Sequence, residues 1–228
     1  MTEQPIWRQA IKDKSHPLHR AAWMLFSPSF NVKHVAKRLS DQREEVIAFC
    51  YTILDHKELY VEGSLGNGVA PIHAVELFGH WQVTEAVPLL FDIIENEHWQ
   101  AVVCDRAISA LCKMPPEIKP AVIAFGDTHE LDGKITASSI LSYIAHYDDE
   151  ALQWTKNLLE KVERENDIVF LAENLLHIDP VRGADVLETY LRDQKDELSH
   201  DGQKRIRIYM KDAREGRWLR TEAPQPIT

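Results

Sequence analysis

Residues 70–96, APIHAVELFGHWQVTEAVPLLFDIIEN, decide the fold. Pro71 suits a first helical turn, where its missing N–H has no intrahelical partner. Ile72, Val75 and Phe78, with Ala74 and Leu77, then recur at helical spacing and predict one apolar face. Gly79 is expected to end that helix in a left-handed conformation, which glycine adopts without a Cβ penalty. Thr84 is the expected N-cap of a second helix, with Pro88 near its first turn. Val87, Leu90, Phe91 and Ile94 form the second apolar stripe and leave Glu85, Asp92 and Glu95 on the other side. Neither helix is long enough to persist alone in water, so the hairpin must stack on something.

Copies of the hairpin supply that partner. The pair Ala74/Phe78 returns as Ala107/Leu111, Ala137/Leu141 and Ala172/Leu176, at offsets of 33, 30 and 35 residues. A small residue four positions before a large one is what close helix stacking requires. Second helices return too. TEAVPLLFDII from Thr84 resembles PEIKPAVIAF from Pro116, and residues 148–162 and 179–192 supply two more. Asp148 or Asp149 caps the first of these, and Asp179 followed by Pro180 opens the last. A period of this length signals a solenoid.

This pattern resembles the short-period, phycobilisome-lyase-type HEAT-like repeats, over residues 71–192. The resemblance implies an all-α, right-handed α-solenoid of about five antiparallel helix pairs with terminal caps. A fold of this kind carries no function by itself. Residues 1–220 are expected to form one domain, with an N-terminal cap over 1–30, repeats over 31–195 and a basic capping helix over 196–220. Residues 221–228, TEAPQPIT, are expected to be a disordered tail.

The N-terminal cap is read as two short helices, marked by Ile6, Trp7, Ala10 and Ile11 and then by Leu18, Ala21, Ala22, Leu25 and Phe26. Residues 31–39 and 41–54 read as an early, divergent helix pair. Between this pair and the hairpin lies DHKELYVEGSLGNGV, read as a flexible link. Its GSLGNG stretch lacks the preceding strand and the Lys-Ser/Thr ending of a phosphate loop. GDTHELDGK, residues 126–134, is expected to be a polar connection.

Composition narrows the functional classes. With 44% hydrophobic and 27% charged residues, the chain matches a globular protein with a well-solvated surface. No run reaches the length of a membrane span, and the N-terminus lacks an apolar signal core. Cys50, Cys104 and Cys112 sit in apolar helical patterns, as reduced, buried thiols of a cytoplasmic protein would. The formal net charge of −10 disfavours general nucleic-acid binding. The charge is uneven, since residues 204–220 hold seven Lys and Arg against Asp212 and Glu215.

Two enzymatic precedents exist among HEAT-repeat proteins. Deoxyhypusine hydroxylase binds iron through repeated His-Glu dipeptides on helices. Here the one such dipeptide, His129-Glu130, falls in a loop, and the His73/Glu76 pair has no repeat. HEAT-like DNA base-excision glycosylases cradle DNA on a basic concave surface. The inner helices expected here expose Glu85, Asp92, Glu95, Glu117 and Glu160 instead. These readings favour a non-catalytic protein-interaction scaffold without metal or cofactor, with a HEAT-type enzyme as the alternative. The expected partner surface is Glu85, Asp92, Glu95, Glu97, His98 and Trp99, which suits a basic segment of another protein. The alternative contact is the basic helix around Arg205, Arg207 and Lys211.

Overall fold

The computed structural model describes residues 5–96, 101–193 and 198–218. The described residues hold thirteen α-helices and no strand. They fall into two compact units, one reaching to Met114 and one starting at Pro115. No described helix is long and apolar enough to cross a membrane.

In the first unit, α1 (Ile6–Lys12) and α2 (His19–Leu25) match the expected terminal pair. α3 (Val32–Arg38) is capped by Asn31, whose side chain accepts from the His34 N–H at 3.0 Å. α4 (Arg43–Asp55) leads into the link, which is not a bare tether. A 3-10 turn over Lys57–Leu59 buries Leu59 and Tyr60, and the Tyr60 hydroxyl donates to the Leu54 carbonyl at 3.0 Å. Two adjacent large apolar side chains had enough surface to fold the link onto the core.

α5 (Val69–Trp81) is longer than expected. Gly79 lies inside it and not at its end. A Cβ on Gly79 would stand 2.7 Å from the Ala110 Cα, so this glycine lets two helix backbones approach. The left-handed stop falls to Gln82, at φ 53°. Ile72 is half-buried, while His73 is buried in its place on the inner surface. Thr84 caps no helix with its side chain; it opens a 3-10 turn over Thr84–Ala86, and α6 (Val87–Glu95) starts beyond it with Pro88 in its first turn. α7 (Ala101–Leu111) packs on both α5 and α6.

In the second unit, a 3-10 turn over Pro116–Ile118 precedes α8 (Lys119–Thr128). α9 (Leu131–Ile144) follows after two residues, so the expected connection over residues 126–134 is mostly helical. Gly126 lies inside α8 and leaves room for Trp154 and Ala137, since a Cβ there would stand 2.6 Å from the Trp154 ring, and Asp127 accepts from the Trp154 indole N–H at 2.9 Å. α10 (Asp149–Leu159) is capped by Asp148, which accepts from the Ala151 N–H at 2.9 Å. α11 (Glu165–Ile178) leads to α12 (Pro180–Asp193), opened by Asp179 accepting from the Val181 and Arg182 N–H groups. α13 (His200–Arg214) is capped by Ser199 and buries Gly202, Ile206, Met210 and Ala213.

The repeat column lies in both cores. Ala74, Phe78, Ala107, Leu111, Ala137, Leu141, Ala172 and Leu176 are all fully buried. These residues lie on α5, α7, α9 and α11. α3, α5 and α7 pack in sequence in the first unit, as do α9, α11 and α13 in the second. The second helices α4 and α6 pack on the first helix that follows, and so do α8, α10 and α12.

Successive hairpins are also stitched at their turns. Backbone carbonyls near the ends of α5, α7 and α11 have lost their helical donors. Arg43 donates to the Trp81 carbonyl at 3.0 Å and Gln82 to the Lys113 carbonyl at 2.8 Å. The His146 Nδ1 lies 3.2 Å from the His177 carbonyl. In each case the preceding hairpin supplies the partner.

Ala107 tests this packing. Replacing it with Leu adds three carbons where two helices touch, and we expect a loss of roughly 1–3 kcal/mol in urea denaturation. Wild-type stability in Ala107→Leu would mean that α5 and α7 are not held at this column.

Candidate functional site

α6 presents the expected acidic side. Val87, Leu90, Phe91, Ile93 and Ile94 are buried, which consumes one side of this nine-residue helix. Asp92 and Glu95, one turn apart, stay exposed, as does Glu85 in the preceding 3-10 turn. Asn96 donates its amide both to the Asp92 carbonyl at 2.8 Å and to the Asp92 carboxylate at 3.0 Å, which orients that carboxylate. Glu97, His98 and Trp99 lie outside the described residues.

Asp92 stands at the rim of a cleft of about 230 Å³. α6 contributes Leu89 and Ile93, α7 contributes Val103 and Cys104, and the folded link contributes Lys57 and Tyr60. The Cys104 thiol donates to the Ile93 carbonyl at 3.4 Å. Burial raises the Tyr60 hydroxyl far above the usual tyrosine range, and the charges of Asp92 and Asp55 add to it. Tyr60 therefore stays protonated and holds its hydrogen bond to Leu54. Tyr51 is raised as well, by burial and then by Glu85. The link's share of this cleft was missed in the sequence, where the adjacent pair Leu59-Tyr60 was the available signal.

The histidine and carboxylate pairs considered as metal ligands are used otherwise. His73 is buried, with Nδ1 2.7 Å from the Leu25 carbonyl and its ring stacked on Phe30 at 3.9 Å. The carbonyl fixes the proton on Nδ1. Burial lowers the His73 pKa to about 4, against the weaker opposing effect of that hydrogen bond, and nearby Arg106 lowers it further. Glu76 pairs with Arg106 at 3.2 Å in a half-buried contact between α5 and α7. Burial raises the Glu76 carboxyl, and the cations Arg106 and Lys113 oppose that rise without cancelling it. His129 and Glu130 do fall between helices, with the His129 ring stacked on Phe125 at 4.1 Å and its Nδ1 2.6 Å from the Phe125 carbonyl. Among the described residues, no group of three or more His, Cys, Asp or Glu side chains converges to hold a metal ion.

All three cysteines are buried and unpaired with one another. Burial pushes the Cys112 thiol up to about 12 and Cys50 higher still, so neither offers a thiolate.

The basic helix α13 is partly neutralised. Arg214 pairs with Asp185 and Glu188 of α12, and Arg217 with Asp212 and Glu215. Arg205 reaches the Tyr209 hydroxyl at 3.4 Å, and Arg207 reaches the Gln203 side chain at 3.2 Å. Lys211 lines a groove with Leu191 and Met210, where Arg192, Arg207 and Arg214 stand beside Glu188 and Glu215. Comparison of the chain with protein-family models, curated proteins and solved structures gave no match.

Proposed function

We propose that this chain is a non-catalytic protein-interaction scaffold that takes a basic segment of another protein along α6. In this reading it is a right-handed α-solenoid of about five HEAT-like helix pairs, acting in the cytoplasm. The cleft beside Asp92 carries the proposal. Its volume of about 230 Å³ falls below the roughly 300–1,000 Å³ of small-molecule sites. It suits a single anchoring side chain, and such a pocket at the centre of an interface concentrates binding energy. The exposed carboxylates of Glu85, Asp92 and Glu95 would steer a cationic partner toward it. Support for the repeat architecture comes from the fully buried Ala/Phe and Ala/Leu column and from the hydrogen bonds between successive turns. Buried, unbridged cysteines suit a reducing compartment.

The test is to recover a partner from source lysate and measure its affinity at low and high salt. Wild-type binding should weaken as salt rises, because exposed charges are screened over about 8–10 Å at physiological ionic strength. The double substitution Asp92→Lys/Glu95→Lys should weaken it at least about tenfold at low salt. Affinity that ignores both salt and the double substitution would move the working surface away from α6, with Arg205, Arg207 and Lys211 next to be replaced.

A further inference from the structure

A second cleft, independent of the α6 surface, lies between α1 and the glycine-rich link. Its volume is about 460 Å³, within the range of small-molecule sites. Trp7 and Ile11 of α1 and Leu59 and Leu65 of the link make its apolar walls. Leu65 is 48% exposed there and offers apolar surface to a ligand.

The link wall is preformed. Gly63, Gly66, Asn67 and Gly68 all hold positive φ, a conformation that costs glycine little. The Asn67 side chain accepts from the Gly63 N–H at 2.9 Å. The Ser64 hydroxyl accepts from the Gly68 N–H at 3.1 Å and donates to the Leu59 carbonyl. A Cβ on Gly66 would come within 3.1 Å of Phe26, so the link is pressed against α2's end.

The α1 wall is cationic. Arg8 and Lys12, four residues apart, share one side of the helix and both line the cleft. Arg8 lies over the Trp7 ring, 4.8 Å from its centroid, which fixes the guanidinium at the edge. Neither cation makes an ion pair with any described residue, although Glu58 lines the same cleft. Trp7 is 2% exposed, and its indole N–H has no hydrogen-bond partner among the described residues.

We propose that this cleft binds a small amphipathic monoanion, an aliphatic monocarboxylate whose chain lies against Trp7, Ile11, Leu59 and Leu65 and whose carboxylate meets Arg8 and Lys12. The concave, half-enclosed shape favours a discrete molecule over a flat lipid surface. Glu58 disfavours a polyanion, because a second negative group would meet it across the cleft.

The probe is sodium decanoate, titrated calorimetrically into the full chain below its aggregation concentration, with decanol as the uncharged counterpart. Decanoate should bind more tightly than decanol, and the preference should shrink as salt rises. The exposed double substitution Arg8→Ala/Lys12→Ala should weaken decanoate at least tenfold and leave decanol unchanged. Leu65→Asp, also at the surface, should weaken both. Absence of decanoate binding, equal affinity for decanol, or a double variant that binds decanoate like wild type would overturn the proposal. So would binding to anionic phospholipid vesicles with none to free decanoate.

Discussion

Gly79→Ala is expected to lower the unfolding free energy by up to about 2 kcal/mol, opposite in sign to what its position in a helix suggests. Alanine in a helix interior is favoured over glycine by about 1 kcal/mol, and Gly79 sits well inside α5. The added methyl, however, would stand 2.7 Å from the Ala110 Cα and 2.9 Å from its Cβ. Backbone cannot turn aside as a side chain can, so α5 and α7 must separate along their whole contact, and overpacking of that kind costs about 1–3 kcal/mol. Urea denaturation followed at 222 nm measures the loss. Ala110→Gly in the same chain should recover only part of it, because the Cα remains in the way. A variant as stable as wild type would disprove the close approach. A loss without coupling to Ala110 would instead point to a contact other than the one with Ala110.

Acid should destabilise the first unit through His73. The folded-state pKa of about 4 lies below the ordinary value of 6.5, so the native fold prefers the neutral ring. Its contribution is therefore complete above pH 6.5 and is lost as pH falls toward 4, by about 3 kcal/mol at 1.36 kcal/mol per unit. The cause is geometric: a charged ring would have to sit buried between Phe30 and α5 with Arg106 nearby. Carboxylates titrate in the same window, so the informative quantity is a difference between proteins. His73→Gln keeps a donor for the Leu25 carbonyl and cannot ionise. Its stability should change less between pH 7 and pH 4 than that of wild type, by about 3 kcal/mol. Identical pH dependence in the two proteins would place the acid-sensitive group elsewhere.

Much of the fold is legible in the chain because it rests on local periodicity. The Ala/Phe and Ala/Leu pairs predicted the buried column at all eight positions, since a residue four places on returns to the same side of a helix. Asp179 was readable as a cap, and Asp148 as one of two candidates, because capping is a contact between residues two or three apart. Glu85, Asp92 and Glu95 were readable as exposed because a stripe as apolar as Val87, Leu90, Phe91 and Ile94 leaves them nowhere else to go.

Tertiary structure alone decided the rest. Gly79 looks like a helix stop in sequence; its role as a close-approach residue depends on Ala110, 31 residues away. His73 resembles a possible ligand beside Glu76, and only the placement of Leu25, Phe30 and Arg106 turns the one into a buried neutral ring and the other into half of an ion pair. The link read as flexible because its glycines dominate, yet Leu59 and Tyr60 fold it into the wall of both clefts. Periodicity reports which side of a helix is apolar. Which distant side chain meets it, and hence which glycine, histidine or loop residue acquires a role, is fixed only when the helices pack.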